Sequence, residues 1–238
     1  MTIQPYGDSA VLINFEQKID ESINTEVIVL HQALRDVSLP EITFYIPAYC
    51  SLTVGFDADR ITYDELYQKI KHITAHSSAD TIQKKSRILS IPVCYDPVFA
   101  LDMDAITEQT GLSVQEIIEM HTNTTFRVYM LGFLPGFTYM GKLPEALHCS
   151  RKPKPRLQVP AQAVGLAGYQ TGIYPSEAPG GWQIIGKTPL PLFHAEEAAP
   201  FLFRPGDRVN FRAISFNDFQ HIENDVASDN FNPDTSYE

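Results

Sequence analysis

A chain of 238 residues, 44% hydrophobic and 20% charged, is long enough for one large or two ordinary folded domains and too apolar to stay disordered. Its formal charge of −11 argues against nucleic-acid binding, which needs a basic footprint, and no stretch approaches the roughly 20 apolar residues that span a bilayer. Cys50, Cys94 and Cys149 are widely spaced, with no CxxC pair and no zinc spacing, so they read as buried thiols of a reducing compartment.

Met1-Thr-Ile-Gln-Pro-Tyr-Gly-Asp8 carries neither a basic nor an apolar leader, so no signal peptide is expected and the cytoplasm is the expected location. Asp8 reads as a turn cap. Val11, Ile13 and Phe15 then begin a strand-like run. Ile19, Ile23, Val27, Leu30, Leu34 and Val37 recur at intervals of three and four, predicting an amphipathic helix that Pro40 stops. Residues 42–46 read as a strand, and Cys50, Leu52, Val54 and Phe56 alternate with polar or small neighbours as in a half-buried second one. Thr62-Tyr-Asp-Glu65 is a capping box opening a helix with Leu66, Ile70 and Ile73 on one face. His72 and His76 sit four apart on that helix without a third ligand, so they read as exposed histidines and no metal site is predicted. The polar stretch Gln83-Lys-Lys-Ser-Arg87 leads into a strand at 88–94. This order, βαββα followed by a candidate strand, predicts a small ferredoxin-like split βαβ domain over residues 1–86.

Beyond it the spacing predicts a helix at 103–109, ended by Gly111, and another from the capping box Ser113-Val-Gln-Glu116 to His121. Short strands at 126–132, 164–168, 182–186, 201–203 and 208–214, separated by Gly and Pro, predict a closed or nearly closed β-barrel over residues 87–223. Residues 217–238 hold six acids and no Lys or Arg, and 224–238 read as an acidic disordered tail. Lys142, Arg151, Lys152, Lys154 and Arg156 make residues 142–156 a basic segment, either a solvated loop or a receiver for a carboxylate or phosphate.

Three segments are dense in glycine, proline and aromatics: 129–139, 160–175 and 178–189. That composition suits the walls of a small-molecule pocket, and equally suits barrel corners and core aromatics. Gly165, Gly168 and Gly172 fit no phosphate-binding loop, and no nucleophile elbow, HExxH or Ser/His/Asp set can be assembled. His121 reads as an interior histidine or a pocket lining. Arg156, after Pro155, is a candidate bidentate carboxylate clamp, and Gln170, Thr171 and Gln183 offer neutral hydrogen bonds.

The motifs Gly7-Asp8-Ser9-Ala10, Ile46-Pro-Ala-Tyr-Cys-Ser-Leu52, His121-Thr122, Val128-Tyr-Met-Leu-Gly-Phe-Leu-Pro-Gly-Phe137, Pro155-Arg156, Val159-Pro-Ala161, Gln170-Thr-Gly-Ile-Tyr-Pro175 and Pro179-Gly-Gly-Trp-Gln183 follow in order along nearly the whole chain. In them the chain resembles the KipI / allophanate hydrolase subunit 1 family, also described as the B-type subunit of 5-oxoprolinase (PxpB). Where that family usually reads Pro-Ala-Gly-Ser-Val-Gly, this chain has Pro160-Ala-Gln162-Ala163-Val-Gly165. Where the family has Gly-Gly-Gln-Thr-Gly, it has Gly168-Tyr169-Gln-Thr-Gly172.

The resemblance implies an α+β architecture, a small α/β domain followed by a cyclophilin-like β-barrel. It implies a C-type partner of the allophanate hydrolase subunit 2 kind and an A-type partner of the LamB/YcsF kind, with ATP hydrolysis driving the opening of 5-oxo-L-proline to L-glutamate. Arg156, Gln170 and Thr171 are then the expected catalytic groups. His121, Phe133, Phe137, Tyr139, Gly172, Tyr174, Gly181, Trp182 and Gln183 are the expected substrate-binding groups. The same family resemblance carries two other readings, inhibition of a sensor histidine kinase and a carboxyltransferase- or allophanate hydrolase-like role. The barrel's likeness to prolyl isomerases carries no activity of its own.

Overall fold

The computed structural model describes residues 1–76, 87–228 and the strand backbone at 235–237. Two compact units divide the chain, Met1–Lys85 and Ser86–Glu238. The expected boundary near residue 86 and the polar residues 83–86 lie outside the described residues. No helix among those described is long and apolar enough to cross a membrane.

The first unit runs β1 (Thr2–Pro5), β2 (Ala10–Asn14), α1 (Glu21–Val37), β3 (Ile42–Pro47), β4 (Ser51–Phe56) and α2 (Tyr63–His76). Asp20 caps α1 by accepting from Ser22 N–H at 2.9 Å, and Ser38 closes it in the left-handed conformation. The sheet order is β1-β2-β4-β3, with every pairing antiparallel. Strand β4 thus lies between the two strands that α1 connects. The fourth position belongs to the N-terminal β1, not to a strand following α2 as a ferredoxin-like unit would have it. The strand at 88–94 joins the second unit instead. Val11, Ile13, Leu52 and Val54 from the sheet meet Val27, Leu30 and Leu34 of α1 and Leu66 and Ile70 of α2 in one core. Buried Asn24 reaches from α1 to the carbonyls of Ala48 and Tyr49 at 3.1 and 3.2 Å, tying down the β3–β4 turn.

The second unit begins with β5 (Arg87–Cys94), α3 (Met103–Thr110) and α4 (Val114–Thr122), then β6 (Thr125–Leu131) and β7 (Thr138–Gly141). It continues with β8 (Arg156–Val159), β9 (Ala163–Ala167), β10 (Gln170–Ile173), β11 (Ala178–Gly180), β12 (Gln183–Lys187) and β13 (Arg208–Ile214). Helix α5 (Phe216–Ala227) and β14 (Thr235–Tyr237) end it. Seven strands close a barrel in the order β12-β9-β10-β7-β6-β13-β5, sealed where Lys187 of β12 meets Cys94 of β5. This is consistent with the expected cyclophilin-like barrel. The β5–β13 pairing is parallel, and β8 and β11 form a separate two-stranded ribbon.

Three expectations need correction. The glycine-rich segments, which suited pocket walls and barrel corners alike, contribute strands β7, β10 and β11 that the spacing did not predict beside the expected β9 and β12, because pairing partners across the barrel compensate for weak local propensity. Residues 201–203 contribute only an isolated bridge, Phe193 to Phe201. The tail expected from Asn224 is ordered up to Ala227 as the last turn of α5, which starts at a full Ser215–Asp218 capping box, and Thr235–Tyr237 pair with β5.

Alternation along the barrel strands sorts side chains into two layers. Met140, Val164, Leu166, Ile173 and Ile185 enter the main core with Val93, Ile106, Ile117, Phe126 and Phe211. The opposite face of the same strands carries a second, aromatic layer of Phe137, Tyr174, Trp182 and Ile184, to which the ribbon contributes Val159 and Ala178. Trp182 lies on a floor of two glycines paired in register, Gly165 and Gly172. A Cβ on Gly172 would come within 2.4 Å of the Thr138 carbonyl oxygen and 3.0 Å of the indole. Gly172→Ala is therefore expected to overpack this face and cost about 1–3 kcal/mol. Urea denaturation of the variant checks this, and an unchanged midpoint would show that the floor yields.

Candidate functional site

The expected residues fall into three groups. The first is interior. His121, on the last turn of α4, is fully buried and stacks on Phe211 at 4.3 Å between ring centroids. Its Nδ1 lies 2.7 Å from the Tyr95 hydroxyl and its Nε2 3.0 Å from Oγ1 of Thr171, itself fully buried. Thr171 donates to the Gly165 carbonyl at 3.2 Å. With the Thr171 proton used there, the hydroxyl accepts from Nε2–H, and Nδ1 accepts from Tyr95 O–H. One neutral tautomer satisfies the whole chain. Burial pushes the imidazole down to about 3 and the Tyr95 phenol upward, so both stay uncharged at neutral pH.

The second group is the aromatic layer. Phe137 touches Tyr139, Tyr174 and Trp182 at 4.8, 4.9 and 5.5 Å between centroids. Phe133, 62% exposed and with φ of +71°, sets its ring edge-on to Phe137 at 5.7 Å. A non-glycine residue in that conformation is uncommon and costs energy. Phe137, Tyr174 and Trp182 are buried against one another, while Tyr139 and Phe133 form the accessible rim. Gly172 is the floor, and Gly181 accepts from Lys152 N–H at 2.7 Å.

The third group surrounds a residue that the sequence did not single out. Asp102, at the N-terminus of α3, makes no cap to its own helix. Its buried carboxylate takes Arg156 Nη1 at 2.5 Å, Arg156 Nη2 at 2.8 Å, Lys152 Nζ at 2.7 Å and the Ile184 N–H at 2.8 Å. Asp102 N–H in turn donates to the Ile184 carbonyl at 2.9 Å. Burial alone would raise this carboxyl, but Arg156, the Ile184 N–H and Lys152 outweigh it and hold it below the ordinary carboxylate value. The basic segment does receive a carboxylate, and it is the protein's own. Ser150 is clamped from both sides, its N–H by Gln109 Oε1 and its carbonyl by Gln183 Nε2, each at 3.0 Å. Gln183 Oε1 is buried with no partner among the described residues.

The three expected catalytic residues are thus not assembled into one centre. Thr171 points into the barrel and Arg156 is committed to Asp102. Gln170, the neighbour of Thr171, takes the opposite side of the strand. Asp102 carried no sequence signal, because it lies about 50 residues from both cations it binds.

The family model described as carboxyltransferase domain, subdomain C and D, matches residues 1–203. A protein from Bacillus subtilis (strain 168), named as the B-type subunit of 5-oxoprolinase, is 38% identical over 234 residues, covering 91% of this chain and 94% of the relative. The crystal structure of TTHA0988 superposes with a TM-score of 0.77 at 34% identity, over 87% of this chain; the chain spans about two fifths of that longer one, 40%. The urea amidolyase of K. lactis matches with a TM-score of 0.80 over 99% of this chain and 16% of its own, at 19% identity, a likeness of fold. The chain belongs to the carboxyltransferase subdomain C and D family and, within it, to the group that includes the proteins named as the B-type subunit of 5-oxoprolinase.

Asp102→Asn keeps an acceptor for Ile184 but leaves two part-buried cations without a countercharge. A loss of about 2–4 kcal/mol is expected, the lower part of the range reflecting their partial exposure. Urea denaturation measures it, and faster amide exchange at Lys152 is the local signature. His121 gives a separate pH effect. The unfolded imidazole binds a proton below about 6.5 and the folded one only near 3, so stability falls with decreasing pH across that window. The slope is about 1.4 kcal/mol per pH unit. Asp102, with its lowered value, acts only below about 4. Between pH 6 and roughly 4.5, His121→Gln is expected to flatten the dependence relative to the parent chain. Parallel slopes in the two proteins would contradict this.

Proposed function

We propose that this chain is the B-type subunit of a cytoplasmic, ATP-dependent 5-oxoprolinase complex that converts 5-oxo-L-proline to L-glutamate together with C-type and A-type partners. The near full-length match to proteins named as that B-type subunit carries the reading. The incomplete site supports it. The barrel presents an aromatic rim and a fixed basic loop but no accessible nucleophile–base pair among the described residues, the Thr171–His121 contact being buried in the interior. Phe133, Leu157 and Tyr169 are 62%, 86% and 60% exposed, apolar side chains available to a partner surface. TTHA0988, of whose chain the match covers 40%, fits a module used alongside further protein.

ATP enters as co-substrate. In this reading the lactam oxygen takes the terminal phosphoryl group and ADP leaves. Water then adds to the activated carbon and the ring C–N bond breaks towards a protonated nitrogen, leaving a γ-glutamyl phosphate; a second water attacks that acyl phosphate and releases phosphate and L-glutamate. Gly165 and Gly172 lie in paired strands and Gly168 in the turn between them, so none of these glycines opens a helix as a phosphate loop requires. In this reading the partner proteins hold the nucleotide, and this chain supplies part of the lactam's surroundings.

Co-expression with candidate C-type and A-type partners tests the reading. The expected result is co-purification and ATP-dependent glutamate release that requires all three chains. Full activity without this chain, or none with all three, would overturn it.

A further inference from the structure

Five cations lie in the basic segment, and the structure treats two neighbours in opposite ways. Lys152 and Arg156 are consumed by Asp102. Arg151, between the clamped Ser150 and the tethered Lys152, is exposed, and no carboxylate among the described residues pairs with it. Its guanidinium carbon stands 6.0 Å from the centroid of the Trp182 ring. It is also close enough to the phenols of Tyr139 and Tyr174 to favour their charged forms against the burial that raises both.

The loop carrying Arg151 is held rigidly. Ser150 is bonded at both its N–H and its carbonyl, Lys152 N–H is bonded to Gly181, and the Lys152 and Arg156 side chains are locked on Asp102. These bonds fix the backbone on either side of Arg151 while leaving its fork of donors unspent. A guanidinium stays charged at every relevant pH and binds carboxylates in bidentate fashion. Set over an indole, it is oriented before any ligand arrives.

We propose that Arg151, rather than Arg156, is the group of this chain that binds the substrate's carboxylate, with the lactam ring lying along the rim formed by Tyr139 and Phe133. The assignment rests on the 5-oxoprolinase reading and names the part of that substrate this chain recognises. The alternative anion, a phosphate of the nucleotide, is separated by experiment.

In the assembled three-protein complex, Arg151→Gln is expected to raise KM for 5-oxoproline about 10- to 100-fold, the loss of one charge-assisted pair, with kcat changed less than about threefold. KM for ATP stays unchanged, and Arg151→Lys restores part of the loss. An unaltered KM for 5-oxoproline overturns the proposal. So does a rise confined to KM for ATP, which would assign Arg151 to a phosphate. A second readout needs no turnover. Trp182 is the single tryptophan of the chain. Its fluorescence is expected to change saturably with 5-oxoproline, not with 2-pyrrolidinone, the same ring without the carboxylate, and not in Arg151→Gln. Equal responses to both compounds, a response that survives the substitution, or no response in the parent complex overturns the proposal. If glutamate release fails while this selective response holds, the functional reading fails and the carboxylate site stands.

Discussion

One buried carboxylate organises the functional half of this protein. Asp102 joins the start of α3, the backbone of β12 and the loop 149–156 through four hydrogen bonds from three partners. A buried charge is tolerated only when its lone pairs are filled, and here two cations and a peptide N–H fill them. That demand is what spends Arg156, fixes Lys152 and leaves the neighbouring Arg151 facing out. The loop's rigidity and the availability of Arg151 have the same cause.

Local periodicity made the helices legible. Met103–Thr110 with its Gly111 end and Val114–Thr122 with its Ser113 box stand where repeat and caps place them. β13 spans the residues 208–214 that the spacing predicts. The glycine-rich strands were illegible because β7, β10 and β11 are three or four residues long and owe their form to neighbours across the barrel. Of the site, the aromatic cluster could be read from composition. Its purpose could not, since Trp182, Phe137 and Tyr174 fill an outer layer and leave only Tyr139 and Phe133 as rim. The pairing of Asp102 with Arg156 depends on barrel closure, which no window of sequence contains. The departure from family pattern at Gln162 has a structural counterpart: this residue adopts φ of +64°, the conformation in which the usual glycine is unstrained.

The interior network shows a different use of polar groups. Tyr95, His121, Thr171 and the Gly165 carbonyl form a directed series in which every proton has one place, so α4, the end of β5 and the β9–β10 pair can meet in a single register. Thr171 and Gly172 are adjacent and face opposite layers. Seating Thr171 on His121 thus also places the floor under Trp182. Through that one strand, the polar network of the core and the aromatic layer are mechanically joined.

β5 has a further consequence, for how the barrel comes into being. Its partners are β13, β12 and β14, and each is made more than 90 residues later. During synthesis, β5 emerges early with both edges bare and waits for nearly the whole remaining polypeptide. Non-local pairing of this kind is slow to form and exposes strand edges to other chains meanwhile. A ribosome stalled before Val209 would release a product whose first barrel strand lacks its long parallel partner β13. The lateral seam that makes the finished barrel edgeless also makes its birth all-or-nothing.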